Sequence, residues 1–129
     1  MNNKGVGYIE CFLIGVILAL IYIYYGPVQA DAAPREMYLT CYCPESCPGT
    51  ITASGQPVRE GIAAVGNSET FGKVATIWTR EGELLGFWEC LDRIGKPTDS
   101  VIDIWMPDIE QSKEMMELTG GRVIVEFTE

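Results

Sequence analysis

Acid–base chemistry in this chain has to be done without histidine. The 129 residues contain none, which excludes Ser-His-Asp and Cys-His nucleophilic catalysis, histidine metal ligands and an imidazole pH switch. Carboxylates, thiols, lysine and tyrosine remain. Most acidic residues read as solvated surface: Glu81, Glu83, Glu110, Glu114 and Glu117 fall on turn or helix faces. Two are placed differently. Asp103 lies inside Val101-Ile102-Asp103-Ile104-Trp105, so strand alternation sends it to the face opposite Ile102 and Ile104. Asp92 closes Glu89-Cys90-Leu91-Asp92, at the end of a strand and eleven residues earlier. The plain alternatives are a strand with one wet face for Asp103 and a turn-forming aspartate for Asp92.

Positioning these residues falls to one small domain behind an apolar leader. Hydrophobic residues make up 47% of the chain, and part of that sits in residues 1–30. Lys4 is followed by an uncharged run, Cys11 to Tyr25, of 15 residues. Gly26-Pro27 then breaks the helix, and Val28-Gln29-Ala30 offers the small residues that a signal peptidase reads. The run is shorter than the ~20 apolar residues that span a bilayer, and Glu10 would be costly in lipid. A cleaved signal peptide is expected, with an uncleaved membrane anchor as the alternative; either way the remainder is exported to the cell envelope or beyond. The net charge of −9 survives removal of Lys4 and Glu10, so the acidity belongs to the domain. It argues against a nucleic-acid partner, which needs a Lys/Arg surface.

Residues 31–35 read as a linker and 36–129 as one domain. Strands are expected over 36–42, 62–65, 73–78, 84–90, 101–105 and 122–127, with Arg80-Glu81-Gly82 as a hairpin turn. The stretch 43–61 is punctuated by Pro44, Pro48, Gly49, Gly55 and Pro57 and reads as loop. Asp108 and Gln111 form a capping box that starts one helix, and Gly120-Gly121 ends it. Six short strands with one helix predict a mainly β fold, a small barrel. A monomer is expected.

Outside the leader there are four cysteines, Cys41, Cys43, Cys47 and Cys90. An even count in an exported domain favours disulfides. Cys41 and Cys43 are two apart on one strand and pair awkwardly. That leaves 41–90 with 43–47, or 41–47 with 43–90. A four-thiolate zinc site is the alternative, but C-x-C-x3-C with one distant cysteine matches no common zinc ribbon. No metal ligands are therefore assigned, and a C-x-x-C redox motif is absent.

Several of these segments together resemble a known family. Thr52-Ala53-Ser54-Gly55, then Pro57-Val58-Arg59-Glu60-Gly61 and Ile62-Ala63-Ala64-Val65, is similar to the opening signature of the 3D, or three-aspartate, domain. Glu89-Cys90-Leu91-Asp92 and Val101-Ile102-Asp103-Ile104-Trp105 resemble its second and third aspartate motifs, and the eleven-residue step matches. Tyr42-Cys43-Pro44 before the signature fits as well, and the resemblance covers nearly all of residues 38–127. It implies a six-stranded double-psi β-barrel, like the catalytic barrel of membrane-bound lytic murein transglycosylase A and the stationary-phase muralytic factors.

The function it implies is cleavage of the MurNAc–GlcNAc β-1,4 bond of peptidoglycan glycan strands in cell-wall turnover. It implies Asp103 as the acid/base, Asp92 as the second aspartate beside it, and no cofactor. Burial beside a second carboxylate would raise the pKa of Asp103 towards a useful range. Thr52, Ser54 and Gly55 match the signature loop and are placed along the glycan groove. Trp105, with Trp78 and Trp88 as further candidates, would stack on sugar faces.

The sequence departs from the family pattern at three places. Gly66 stands where the first aspartate belongs, the following segment 67–72 is short and lacks its proline, and Arg93-Ile94-Gly95 replaces Thr-Gly-Gly. An Arg93 folded back onto Asp92 would favour the ionised carboxylate. The missing aspartate motivates a second hypothesis, a barrel that binds glycan without cutting it; a cysteine-based zinc or redox module is the third.

Overall fold

The computed structural model describes residues 4–25 and 33–129. The chain divides into two compact units, Met1–Ala30 and Asp31–Glu129. The first contains helix α1, Lys4–Tyr25. Its described apolar side chains, from Phe12 to Tyr24, are exposed. Among the described residues no helix is long and apolar enough to cross a membrane. The expected cleavage segment at Val28-Gln29-Ala30 lies outside the described residues.

The second unit is a closed six-stranded barrel with one helix. Its strands are β1 Arg35–Tyr42, β2 Ile62–Val65, β3 Val74–Trp78, β4 Leu84–Arg93, β5 Val101–Trp105 and β6 Arg122–Thr128. They close in the order β1-β5-β2-β4-β3-β6. The pairs β1/β5 and β2/β4 are parallel and the other four are antiparallel. Period-two alternation fills the interior: Leu39, Ile77, Ile102, Ile104, Val123 and Val125 are all at most 1% exposed. Helix α2, Ile109–Thr119, starts where the capping residues are. Asp108 Oδ1 accepts the Gln111 backbone N–H at 2.8 Å. The Gln111 side chain donates to Asp108 Oδ2 instead of reaching the cap backbone, and Gly120 ends the helix in the left-handed conformation at φ 63°.

Two features go beyond simple alternation. Strand β2 is buried along its whole length. Ile62 and Ala64 lie outside the barrel-interior cluster yet are buried, as are Tyr42 and Cys43. The 43–61 loop covers this outer face: it is hydrogen-bonded to β4 through Ser54 N–H to Leu91 O at 3.0 Å. Strand β4 also runs three residues past the expected Cys90, to Arg93. It continues because it pairs in parallel with β2, and the register shifts there: Ala63 opposes Cys90, whereas Ala64 opposes Asp92. Parallel pairing across a crossover leaves no trace in the local sequence, so the extension was not legible there.

The expected disulfides are a correction. All four barrel cysteines are free thiols. Strands β1 and β4 are three steps apart in a six-membered ring, which is diametrically opposite. Pairing Cys90 with Cys41 or Cys43 would need Cα atoms within ~7 Å across the barrel. Cys47 closes a turn with its N–H on Cys43 O at 2.8 Å, yet both thiols are free, Cys43 buried and Cys47 exposed. The zinc alternative fails on the same geometry: among the described residues no group of three or more His, Cys, Asp or Glu side chains is placed to hold a metal ion.

Candidate active site

The two singled-out aspartates come together through β2. Asp103 opposes Ala64 on one side of that strand, and Asp92 opposes it on the other. Thr40 of β1 opposes Asp103 in turn. Residues directly opposite one another share a face, so Thr40, Asp103, Ala64 and Asp92 form one row across four strands on the outside of the barrel. Asp92 reaches this face through the bulge. Cys90 points into the barrel, and without the extra residue Asp92, two further on, would point inward too. Ala64 stands between the two aspartates in this row and contributes only a methyl group.

The two carboxyl groups have unlike surroundings. Asp92 accepts three hydrogen bonds: from Ala53 N–H at 3.0 Å and Arg93 N–H at 2.9 Å on Oδ1, and from the Tyr42 hydroxyl at 3.1 Å on Oδ2. Asp103 is half-buried, and its Oδ1 is shielded from solvent with no hydrogen-bond partner among the described residues. Burial raises the pKa of Asp103 above the ordinary aspartate value; a hydrogen bond from the Thr40 side chain opposes this, and the charge of Asp92 adds to it. Three other titratable groups of the barrel are pushed further above neutrality. Burial, then the charges of Asp103 and Cys43, pushes the Cys41 thiol up to about 11. Burial, partly offset by a backbone hydrogen bond at Ala75, pushes Cys90 up to about 12. Tyr42 is raised by burial and by Asp92. Asp103 is thus the carboxyl in the row whose burial favours its protonated form.

The signature loop is an anchor. Thr52 is buried, its hydroxyl is 2.7 Å from Ser54 Oγ, and it donates to Gln56 O at 3.1 Å. Gly55 sits at φ 84°, a left-handed position that glycine adopts without strain. This tight turn delivers the Ala53 N–H to Asp92. Ser54 and Gly55 are exposed, whereas Thr52 holds the turn and presents no free hydroxyl. Trp105 pairs with Tyr42 and is half-buried beside the row. Trp88 belongs to the barrel interior, so it does not stack on a ligand. Trp78 lines a separate hollow with Arg80 and Ile124. Arg93 does not fold back onto Asp92 as a cation: its guanidinium lies over the Phe71 ring at 4.5 Å, and only its backbone N–H serves the carboxylate.

Tyr42 and Thr40 are the site residues that sequence reasoning missed. Their shared parity on one strand was visible. Their apposition to Asp92 and Asp103 depends on β1 pairing in parallel with β5, which was not. Gly66, in contrast, has a clear structural reason. A Cβ there would lie 2.6 Å from Thr98 Cγ2, 2.7 Å from Thr98 N and 2.8 Å from Lys96 O. The backbone and side chains of Lys96 and Thr98 occupy the space that any side chain at position 66 would need. Compared with known proteins, the chain matches no family model and no curated protein.

Proposed function

We propose that the chain is an exported lytic murein transglycosylase acting on the MurNAc–GlcNAc β-1,4 bond. The observation that carries the reading is the half-buried carboxyl of Asp103, with an unpartnered Oδ1 and a raised affinity for its proton, set one small residue from a second aspartate. The barrel supports it: two parallel pairs, β1/β5 and β2/β4, within a closed ring are the arrangement expected of a double-psi barrel. The α1 leader supports export.

In this mechanism protonated Asp103 gives its proton to the glycosidic oxygen as the C1–O4 bond breaks. The C6 hydroxyl of the same MurNAc then attacks C1, and the Asp103 carboxylate takes the hydroxyl proton. A C1–O6 bond replaces C1–O4, no water is consumed, and the product ends in 1,6-anhydro-MurNAc. One carboxyl group suffices, unlike the two-carboxylate hydrolases. Asp92, held by three donors, fixes the local charge against which Asp103 keeps its proton. Mass spectrometry of soluble products from purified peptidoglycan tests this. Anhydro-muropeptides are expected from the parent and not from Asp103→Asn; equal yields from the two would end the assignment.

A second reading, a barrel that holds glycan without cutting it, is favoured by the closed space at Gly66. Retention of the protein on insoluble peptidoglycan without release of soluble products would establish it.

A further inference from the structure

Asp103 has an open flank on the β1 side. Towards β2 and β4 it is bounded by Ala64, Asp92 and the covering loop. Towards β1 its neighbour Thr40 is exposed. Between β1 and α2 lies a groove of about 470 Å3 lined by Thr40, Cys41, Ser112, Lys113, Met116 and Glu117. Its β1 wall is part of the aspartate site: Thr40 hydrogen-bonds Asp103, and Cys41 feels the Asp103 charge.

The α2 wall has a different chemistry. Met116 is apolar and Ser112 is buried. Lys113 and Glu117 are exposed and stand four residues apart, hence on one helix face. Lys113 also pairs with Glu110 at 3.6 Å, both side chains being more than 60% exposed; a pair so open to water exchanges partners at little cost. An ammonium and a carboxylate set over a methionine and a thiol, with no aromatic ring among the lining residues, suit an aliphatic chain that carries both a carboxylate and an amine. They do not suit the flat face of a sugar, which packs on aromatic rings. A short apolar floor with a few polar groups to fix orientation is the usual form of such a site.

We propose that this groove receives the stem peptide borne by the muramyl residue at the scissile bond, with Lys113 facing a peptide carboxylate and Glu117 a peptide amine. The enzyme then prefers peptide-bearing strands to bare glycan. This rests on the transglycosylase reading above. The test compares kcat/KM of the full-length protein on peptidoglycan strands and on the same strands stripped of peptides by an amidase, beside K113Q/E117Q. Both substitutions are at exposed positions and keep the net charge.

The parent is expected to favour the peptide-bearing strands, and the variant to lower that preference by roughly threefold to tenfold. A parent that cleaves both strands equally, or a preference unchanged in the variant, overturns the inference and leaves the transglycosylase reading standing. A parent that cleaves neither overturns the reading and the inference with it.

Discussion

Asp92 and Asp103 are both register partners of Ala64, one across each edge of β2. Strand positions are enriched in β-branched and aromatic residues rather than alanine. Here the residue between the two aspartates carries only a methyl group. Ala64→Val is therefore expected to do two things. It destabilises the barrel by about 1–3 kcal/mol, because Ala64 is buried under the 43–61 loop. It also separates the carboxyl groups and lowers product release beyond what the stability loss explains. Denaturant unfolding alongside activity well below the transition checks this; a stable but fully active variant would contradict it.

The raised proton affinity of Asp103 makes a stability prediction with a definite sign. Its pKa in the folded state lies above the ordinary value of 3.8, so the native state binds this proton more tightly than the unfolded chain. The stabilisation is fully present below the unfolded value and is lost as pH rises through the folded one. Asp103→Asn, neutral throughout, should be more stable than the parent at neutral pH. The difference should shrink as pH falls from neutral towards the ordinary aspartate value and be gone below it. Thermal unfolding across that range reads it directly. The same substitution should lower turnover by about 10²–10⁴-fold, the usual contribution of a positioned acid. A variant less stable than the parent at neutral pH would count against the buried, protonated carboxyl.

Much of this site was legible because its parts are local. Asp103 between two core isoleucines announces its face by alternation, and the Asp108–Gln111 box fixes the start of α2. What was not legible is long-range. Asp92 sits two residues from an inward cysteine, and only the shift opposite Ala63/Ala64 turns it outward. The same holds for the thiols. Cys41 and Cys90 are an even-count pair in sequence but stand on opposite staves of the closed barrel. Gly66 was visible as a departure, and its cause, the backbone at Lys96 and Thr98, was not.

Tyr42 donates to Asp92 Oδ2 from the end of β1. Tyr42→Phe removes this donor while keeping the buried ring. A lost hydrogen bond to a charged group costs about 1.5–3 kcal/mol, so a measurable fall in unfolding free energy is expected. Activity gives the more specific readout. With one donor fewer, more of the Asp92 charge falls on Asp103, which holds its proton to higher pH. The descending limb of the kcat/KM profile should therefore move up in pH. A profile that keeps its position would reduce Tyr42 to a packing role.

The barrel thiols should differ sharply in reactivity. Cys41 and Cys90 are pushed up to about 11 and about 12 by burial, and Cys43 is buried. Thiolate is the reactive form, so Cys47, the exposed one, is the barrel cysteine expected to alkylate in the native protein at neutral pH. Peptide mapping after brief treatment with iodoacetamide, native and in denaturant, resolves each site. All four should alkylate in denaturant without prior reduction. A requirement for reductant at any of them would restore a disulfide.

Gly66 decides between the enzymatic and the binding readings. Gly66→Asp places a side chain where Thr98 and the Lys96 carbonyl already stand, with backbone atoms among the close contacts. Contacts of this kind relax only by moving the loop, at a cost of about 1–3 kcal/mol. If the parent cleaves peptidoglycan with the 94–99 loop packed against Gly66, Gly66→Asp loses both stability and turnover. If instead the parent is inactive and Gly66→Asp gains release of anhydro-muropeptides, the loop yields and the glycine is what withholds activity. Unfolding and product analysis of this one variant beside the parent separate the two cases, because a loss and a gain of activity have opposite signs.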